Sequence, residues 1–436
     1  MADDLDKLKT QANRSLQAGN PAEAICYLAE WVSRDPNDRH GRITMAAALN
    51  NAGHPEGALA ILRALCERLA HQGFLLPAIA VARHGLQISP EDGRLLQVLQ
   101  GMHVRGLQAK AGHLAVPPPV VSRAAPTTAV TASTFLTLPL EERLNRATQI
   151  AATLPPAGPA AQPQPMPLFC ELDTLSFLET VKHLRYGHVG PGTKLLEEGK
   201  PGDTLLVIVS GQLTVSKGGH PLAQLGAGAV LGEMAIITGA PRSATAVASE
   251  PVEYFELSRA DLGALAKAQP KVAQALVEYC RRRLLANLMR SSPLFARFDE
   301  ATRLKLLGRF QTISFAADET IIVQGEPATG LYVIASGEVD VRIMDANGES
   351  VTVAKLGPGE VFGEISLLRR QPTTAFVIAK NTVGALVLPT TDFQQVVQEH
   401  PEVLSYLQTI TADRLKASKD AVLASDLVDA DDLIVL

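Results

Sequence analysis

The second half of the chain repeats itself, and this duplication limits the fold more than any other feature of the sequence. The segment "LLVIVSGQLTV" at 205–215 returns as "LYVIASGEVDV" at 331–341, an offset of 126 residues. "PLFCELD" at Pro167 returns as "PLFARFD" at Pro293 with the same offset. Two copies of one fold, each within the usual range of domain size, are therefore expected from residue 167 onward.

Both copies are predicted to be rich in β-structure. Short runs of Val, Ile and Leu are interrupted by Gly, Pro or Asp every eight to twelve residues. That spacing is typical of short antiparallel strands in a barrel or jelly roll. Each copy then ends in a helical pattern, beginning at Arg259 and at Thr390. The predicted domains are 167–290 and 291–425, each a small β-barrel with flanking helices.

Residues 1–108 are predicted to be entirely helical. Gly19 and Gly53 lie 34 residues apart, as do Ala24 and Ala58, and "AGNPAEAICYL" aligns with "AGHPEGALAIL". This period resembles the tetratricopeptide repeat. A third unit starts only 20 residues after the second, at Gly73, so one helix is expected to be shared. Such repeats usually present a concave groove, which implies an unknown protein partner bound through the helical repeats.

Residues 109–166 are predicted to be a linker rich in Pro and Ala. Eleven prolines fall between Pro117 and Pro167, and such a composition favours an extended chain. One short helix is expected within it, at 138–154. Residues 426–436 form an acidic and apolar tail. The whole is expected to be a multidomain α + β protein.

Several classes of function are excluded by composition. The net charge of −5 and the 4% content of aromatic residues argue against a nucleic-acid-binding surface. No apolar run approaches the roughly 18 residues of a membrane span, and the acidic N-terminus is no signal peptide. The four cysteines are scattered without metal-ligand spacing. A cytoplasmic protein with no DNA, membrane or metal partner is expected, and no catalytic signature indicates an enzyme.

One stretch of the first copy places charges among residues that otherwise resemble core, "LGEMAIITGAPRSAT" at 231–245. Gly232 allows the backbone to approach a ligand closely, and a short helix from Met234 offers free N–H groups to an anion. Arg242 supplies a planar cation that suits phosphate, and the Glu233 carboxylate suits a sugar hydroxyl. The pattern predicts a nucleotide whose phosphate lies close to its 2′-hydroxyl. The alternative is a buried salt bridge between the two charged side chains.

This stretch resembles the phosphate-binding cassette of the cyclic nucleotide-binding domain, and the tandem arrangement is most similar to the regulatory subunits of cyclic-AMP-dependent kinases. The resemblance implies that Glu233 binds the ribose 2′-hydroxyl and Arg242 the cyclic phosphate. It also implies that no cofactor is needed, the ligand being cyclic AMP or, as the alternative, cyclic GMP. Ser243 favours cyclic AMP, because members that prefer the guanine form often carry threonine there. The backbone groups that complete the implied cradle belong to Gly232, Met234, Ala235, Ser243 and Ala244.

The second copy departs from this pattern. Gly363 and Glu364 keep their places, whereas Thr373 and Thr374 follow Pro372 where the first copy has arginine and serine. Loss of one charge-assisted phosphate contact lowers affinity roughly a hundredfold or more. The degenerate copy is a structural relic, a weak site or a site for another ligand. We expect that it does not bind cyclic AMP tightly and that it communicates with the first copy.

The sequence therefore predicts a cyclic-nucleotide sensor that acts as a signalling adaptor. A kinase inhibitor of the regulatory-subunit type is the first alternative. Against it, the linker has only the isolated arginines Arg123, Arg143 and Arg146, instead of the paired arginines of a kinase pseudosubstrate. The second alternative is a scaffold whose barrels no longer sense nucleotide.

Overall fold

The computed structural model confirms a multidomain α + β protein, in which a helical region precedes two domains dominated by antiparallel sheet. It describes residues 2–108, 130–155, 166–170, 172–239, 241–268, 270–295, 308–344 and 350–431, together with Thr302 and Leu306.

The helical region is built from antiparallel neighbours joined by short turns. Its helices are α1 (Ala2–Gln17), α2 (Pro21–Arg34), α3 (Arg39–Asn51), α4 (Pro55–His71), α5 (Leu75–Ile88) and α6 (Gly93–Gln108). Pro21 and Pro55 begin α2 and α4, where a missing N–H is tolerated. Gly19 and Gly53 close the preceding turns at φ of 72° and 81°. α4 packs against both α3 and α5, so one helix serves two pairs, as the irregular third unit predicts.

Part of the predicted linker is folded onto the helical region. Residues 130–155 contain α7 (Ala132–Leu136) and α8 (Leu140–Ala152), and α8 packs across α2, α3 and α4. An extended linker over 109–166 is therefore wrong for this stretch, although the helix expected within 138–154 is present. Burial of Phe135, Ala147 and Ala151 provides the ordering energy that composition alone did not reveal. Residues 109–129 and 156–165 lie outside the described part of the chain.

The two β-rich domains share one topology. The first contains β1 (Arg185–Val189), β2 (Lys194–Leu196), β3 (Thr204–Ser210), β4 (Leu213–Lys217), β5 (His220–Leu225), β6 (Val230–Leu231), β7 (Thr245–Ala248) and β8 (Val252–Ser258). The second contains β9 (Gln311–Phe315), β10 (Thr320–Ile322), β11 (Gly330–Ser336), β12 (Val339–Met344), β13 (Ser350–Leu356), β14 (Val361–Phe362), β15 (Phe376–Ala379) and β16 (Val383–Pro389). The sheet orders β1-β8-β3-β6 and β2-β7-β4-β5 recur as β9-β16-β11-β14 and β10-β15-β12-β13.

Closure of these sheets into barrels is not confirmed. In the described ranges, no strand pairing joins one sheet of a domain to the other, so each domain is a two-layer sandwich. The edge strands β2 and β6 have only three and two residues, too few to continue the pairing around a barrel. Apolar side chains from both layers form the core between them, including Ile208, Leu213 and Ala246.

Helices flank each sandwich. The first domain has α9 (Pro167–Cys170), α10 (Thr174–His183), α11 (Glu233–Thr238), α12 (Arg259–Ala268) and α13 (Pro270–Ser291), and the second has α14 (Glu364–Arg369), α15 (Thr390–Glu399) and α16 (Pro401–Asp431). α16 extends through the first residues of the predicted tail at 426–436, and residues 432–436 lie outside the described part. Within the described ranges, no helix combines the length and apolar character needed to cross a bilayer.

A buried carboxylate joins the helical region to the first β domain. Glu253 on β8 is 7% exposed and accepts hydrogen bonds from Tyr186 at 2.9 Å and Ser210 at 2.8 Å. Arg39, at the start of α3, forms an ion pair with the same carboxylate. Apolar residues of the helical region and of the first β domain belong to one continuous cluster. The two units therefore share both a core and a buried polar contact.

Two histidines of the helical region lie at the same boundary. His40 stacks on His188 with ring centroids 5.5 Å apart, and His84 meets the ring of Tyr186 edge-on at 4.9 Å. Burial lowers the pKa of both His40 and His84, while Glu253 acts in the opposite direction on each. Nε2 of His84 is buried and has no hydrogen-bond partner among the described residues. The docked arrangement therefore favours the neutral imidazoles.

We expect this arrangement to lose stability as the pH falls below the ordinary histidine pKa of about 6.5. Because both pKa values are lowered, the folded state binds fewer protons, so stability is complete above that pH and declines below it. Melting temperatures from about pH 7.5 to about pH 5.5 measure the effect. His84→Gln should reduce the dependence, whereas His220→Gln, at an exposed position on β5, should not. A His84→Gln curve parallel to that of the wild type would contradict this expectation.

Candidate functional site

The expected cassette of the first domain surrounds α11, between β6 and β7. Gly232 precedes this helix with φ of 85°, a conformation that side-chain-bearing residues rarely adopt. A Cβ atom at this position would also collide with the carbonyl oxygen of Thr204 and with Nη1 of Arg242. Glycine is therefore required both by the backbone conformation and by the close approach of β3.

Arg242 is held in a seat made by the start of β3. It is 8% exposed; Nη1 donates to the Thr204 carbonyl at 2.8 Å, and Nη2 donates to the Thr204 hydroxyl at 2.7 Å. A longer bond of 3.4 Å reaches the Gly232 carbonyl. Gly202 leaves the necessary space, because a Cβ there would overlap Nε of Arg242. The guanidinium is thus positioned by backbone and hydroxyl oxygen atoms that complement its donors.

Two opposing influences act on the charge of Arg242. Burial is the main influence and lowers its pKa, while the carboxylates of Asp203, Glu233 and Glu256 act in the opposite direction. The acceptors of the hydrogen bonds described for Arg242 are oxygens of Thr204 and Gly232, and Glu233 attracts it electrostatically.

The remaining cassette residues lie around the same helix. Glu233 is buried at its first position, and the Ala235 carbonyl accepts a bond from Arg259. Ser243 and Ala244 are partly exposed, directly before β7. Met234 belongs to α11, but its side chain is not described. All seven residues expected from the sequence therefore lie on one short helix or on the loop leading to the neighbouring strand.

Three residues of the Arg242 seat were not predicted from the sequence. Gly202, Asp203 and Thr204 lie about forty residues before the arginine, outside the segment that carries the motif. The internal repeat contains a signal for them, because the 126-residue offset aligns them with Ala328, Thr329 and Gly330. Alignment of the two copies, which singled out Thr373, thus also shows that the copies differ at these three positions.

The second domain keeps the backbone of this site. In the first domain the N–H of Gly199 bonds to the Arg242 carbonyl at 2.9 Å, and the N–H of Arg242 bonds to the Lys200 carbonyl at 2.8 Å. In the second, Gly325 donates to the Thr373 carbonyl at 2.8 Å, and Thr373 donates to the Glu326 carbonyl at 2.8 Å. Gly363 has the same φ of 85° as Gly232.

The chemistry of the second site differs in every part of the seat. Thr373 is 6% exposed, and its hydroxyl donates to the backbone carbonyls of Val323 and Glu326. Ala328 stands at the position equivalent to Gly202, and Gly330 stands at the position equivalent to Thr204. The second domain therefore lacks both the glycine and the hydroxyl that accommodate Arg242. Thr374, Arg369 and Arg370 are exposed, so the two arginines do not substitute for the missing cation.

A C-terminal helix covers the second site. Arg414 on α16 donates to Glu364 at 2.7 Å and to the Val361 carbonyl at 2.6 Å. Arg414 and Leu415 line a cavity of about 120 Å³, whose other walls are largely aliphatic side chains of the sandwich. The carboxylate equivalent to Glu233 is thus already paired with a side chain of the same domain.

The first cassette also touches the second domain. α11 packs against β9 and β16 of the second sandwich and against α13 of its own domain. A change in the position of α11 would therefore act directly on the next domain. In the described part of the chain, no cluster of three His, Cys, Asp or Glu side chains is arranged to hold a metal ion.

Comparison with known families agrees with this geometry. The family model of the cyclic nucleotide-binding domain matches residues 187–269 and 312–400. The matched segments contain the first and the second cassette, respectively. The chain therefore carries tandem cyclic nucleotide-binding domains, for which the nucleotide is a ligand and not a cofactor.

The chain is also similar to individual regulatory subunits of protein kinases. The chain is 28% identical over 232 residues to a cAMP-dependent protein kinase regulatory subunit of Yarrowia lipolytica, and 27% identical over 220 residues to one of Blastocladiella emersonii. These matches cover 53% and 49% of this chain, and 58% and 52% of the relatives, so the chain spans little more than half of their length. Among solved structures, the regulatory domain of Toxoplasma gondii PKA with cAMP is 25% identical, with 56% of this chain and 92% of that chain covered and a TM-score of 0.29.

Proposed function

We propose that this protein is a non-enzymatic sensor of a cyclic nucleotide, with cyclic AMP favoured, and that ligand binding in the first domain controls an interaction with a partner protein. The observation that carries this proposal is the buried Arg242 on its Thr204 seat. Its guanidinium remains charged but is bonded to neutral oxygens, which suits a phosphate whose sugar reaches Glu233.

Transmission follows from the packing of α11. Phosphate binding at Arg242 and sugar binding at Glu233 act on the two ends of the cassette, and α11 lies between them. Since α11 contacts β9, β16 and α13, a ligand that prefers one position of this helix also biases the arrangement of the second domain. The second domain, without a cation at Thr373, acts in this proposal as a receiver of the change.

Thermal unfolding of the full chain tests the sensor. A ligand at 100 times its dissociation constant adds about 2.7 kcal/mol to the stability of the state that binds it. We expect cyclic AMP to raise the melting temperature and linear adenosine 5′-monophosphate to have much less effect. Cyclic GMP, measured beside them, tests the preference implied by Ser243. A melting temperature unchanged by excess of either cyclic nucleotide would contradict the proposal.

The similarity to kinase regulatory subunits favours one second candidate, a regulatory subunit that inhibits a kinase. Affinity purification of the tagged chain with and without cyclic AMP separates the two candidates. A protein kinase that co-purifies and is released by cyclic AMP supports the regulatory subunit. Ligand-dependent recovery of a partner without kinase activity supports the adaptor.

A further inference from the structure

The helix α8 covers a surface of α2, α3 and α4, here called the α2–α4 face. The buried side of α8 carries Leu144, Ala147 and Ala151, which lie on one side of the helix because they are three and four residues apart. Gly57 of α4 allows a close approach, since a Cβ there would lie 2.5 Å from the Thr148 hydroxyl oxygen. Ile150 and Ala152 of α8 also pack, partly buried, against the same core.

Two buried charges of the face contact the ends of the α7–α8 segment. Arg42, 1% exposed, donates to the carbonyls of Ala151 at 3.0 Å and Thr153 at 3.1 Å. Glu30, 6% exposed, accepts from the N–H of Ala132 at 2.6 Å, at the start of α7. A cation at the carbonyl end and an anion at the N–H end match the polarity of helix termini. These contacts use backbone groups, which any helix offers.

Arg42 makes the face selective for a helix end. Burial lowers its pKa to about 10, so the side chain remains charged near neutral pH. A buried cation that loses its acceptors is strongly destabilising. Apart from α8, the acceptor of Arg42 is the Asp38 carbonyl at 3.5 Å. The polar contacts of Arg42 and Glu30 therefore fit the ends of a helical segment through its backbone groups, whatever its side chains.

We propose that the α2–α4 face is a docking surface for a helix of the partner protein, and that α8 is the internal occupant which this helix displaces. The inference rests on the proposed function, in which a partner is recruited. The matching partner helix has small residues three and four positions apart along one side, and its last carbonyls reach Arg42. In the free chain α8 competes for the face and lowers the affinity for the partner.

The test uses the full chain and a fluorescein-labelled peptide with the sequence of residues 130–155. Ala147→Glu places a carboxylate in the buried stripe and releases α8, so the peptide should bind roughly tenfold or more tightly than to the wild-type chain, as measured by fluorescence anisotropy. Asn145→Glu adds the same group on the exposed side of α8 and should leave the affinity unchanged. Adding Arg42→Gln to Ala147→Glu should remove the gain.

A second variant keeps the test decisive if Ala147→Glu does not fold. Arg143→Ala removes the bond from α8 to the Ala22 carbonyl, 3.2 Å long, together with its bonds to the Leu136 and Leu138 carbonyls, and leaves the stripe untouched; it should give a smaller gain in the same direction. If neither folded variant binds the peptide more tightly than the wild type, α8 is a fixed part of the helical region and the proposal is overturned. Light scattering that shows a wild-type dimer broken by Ala147→Glu would instead assign the face to α8 of a second copy, and would equally overturn the proposal.

Stabilisation by cyclic AMP is recorded on the same samples. Its absence would contradict the proposed nucleotide sensor but not the result obtained with the peptide.

Discussion

Replacing Arg242 with alanine should abolish stabilisation by cyclic AMP. The change removes a guanidinium that is already seated at the place where the phosphate is expected, and loss of charge-assisted bonds lowers affinity roughly a hundredfold or more. At a ligand concentration of 100 dissociation constants of the wild type, the gain of about 2.7 kcal/mol should fall to well below 1 kcal/mol. Melting temperature as a function of cyclic AMP concentration measures the loss.

The internal repeat supplies a matched control for this variant. Thr373→Ala changes the equivalent position of the second domain and should leave the ligand response intact. Arg242→Lys keeps the charge but loses the planar fork that bonds to both Thr204 oxygens, so an intermediate affinity is expected. A full cyclic AMP response in Arg242→Ala would show that the ligand binds elsewhere.

Introducing arginine at position 373 should destabilise the second domain without creating a second site. Thr373 is buried, and its surroundings offer carbonyl oxygens but neither the hydroxyl of Thr204 nor the space left by Gly202. A buried charge that lacks its partners costs about 3 kcal/mol or more. The loss can be measured by thermal or denaturant unfolding, with Thr373→Ser, which keeps the hydroxyl, as a near-neutral control.

The double variant Arg242→Ala with Thr373→Arg tests the ligand response of the second domain alone. We expect no stabilisation by cyclic AMP, because the seat cannot be completed by one change. At Gly330, the equivalent of Thr204, a Cβ atom would lie 2.6 Å from the Leu388 carbonyl oxygen, so a threonine does not fit without movement of the neighbouring strand. Restored stabilisation in the double variant would mean that the charge by itself is sufficient.

The sequence predicted the duplication and one compact group of cassette residues, because both are recorded in local order and spacing; the phosphate and sugar contacts stay predictions. It did not predict the Arg242 seat, because Gly202 and Thr204 belong to the start of β3 and the loop before it, which only the fold brings beside the arginine. It also missed the docking of α8, whose alanines resemble linker composition until the α2–α4 face provides a surface to bury them. The choice between a closed barrel and a two-sheet jelly roll was left open, because alternating apolar runs indicate strands without indicating which edges pair.

The contact between the helical region and the first β domain has a consequence for how the protein can be divided. Cutting the chain before residue 167 would leave the Glu253 carboxylate without Arg39 and would uncover apolar side chains of the shared cluster. His103 illustrates this, because its ring stacks on Phe177 at 4.4 Å and its Nε2 lies 3.1 Å from the Phe169 carbonyl oxygen. An excised first domain would thus expose apolar side chains that are buried in the full chain. The ligand affinity measured on it would be that of the fragment and not that of the full chain. The smallest fragment that keeps the contacts of the first β domain therefore includes the N-terminal helices.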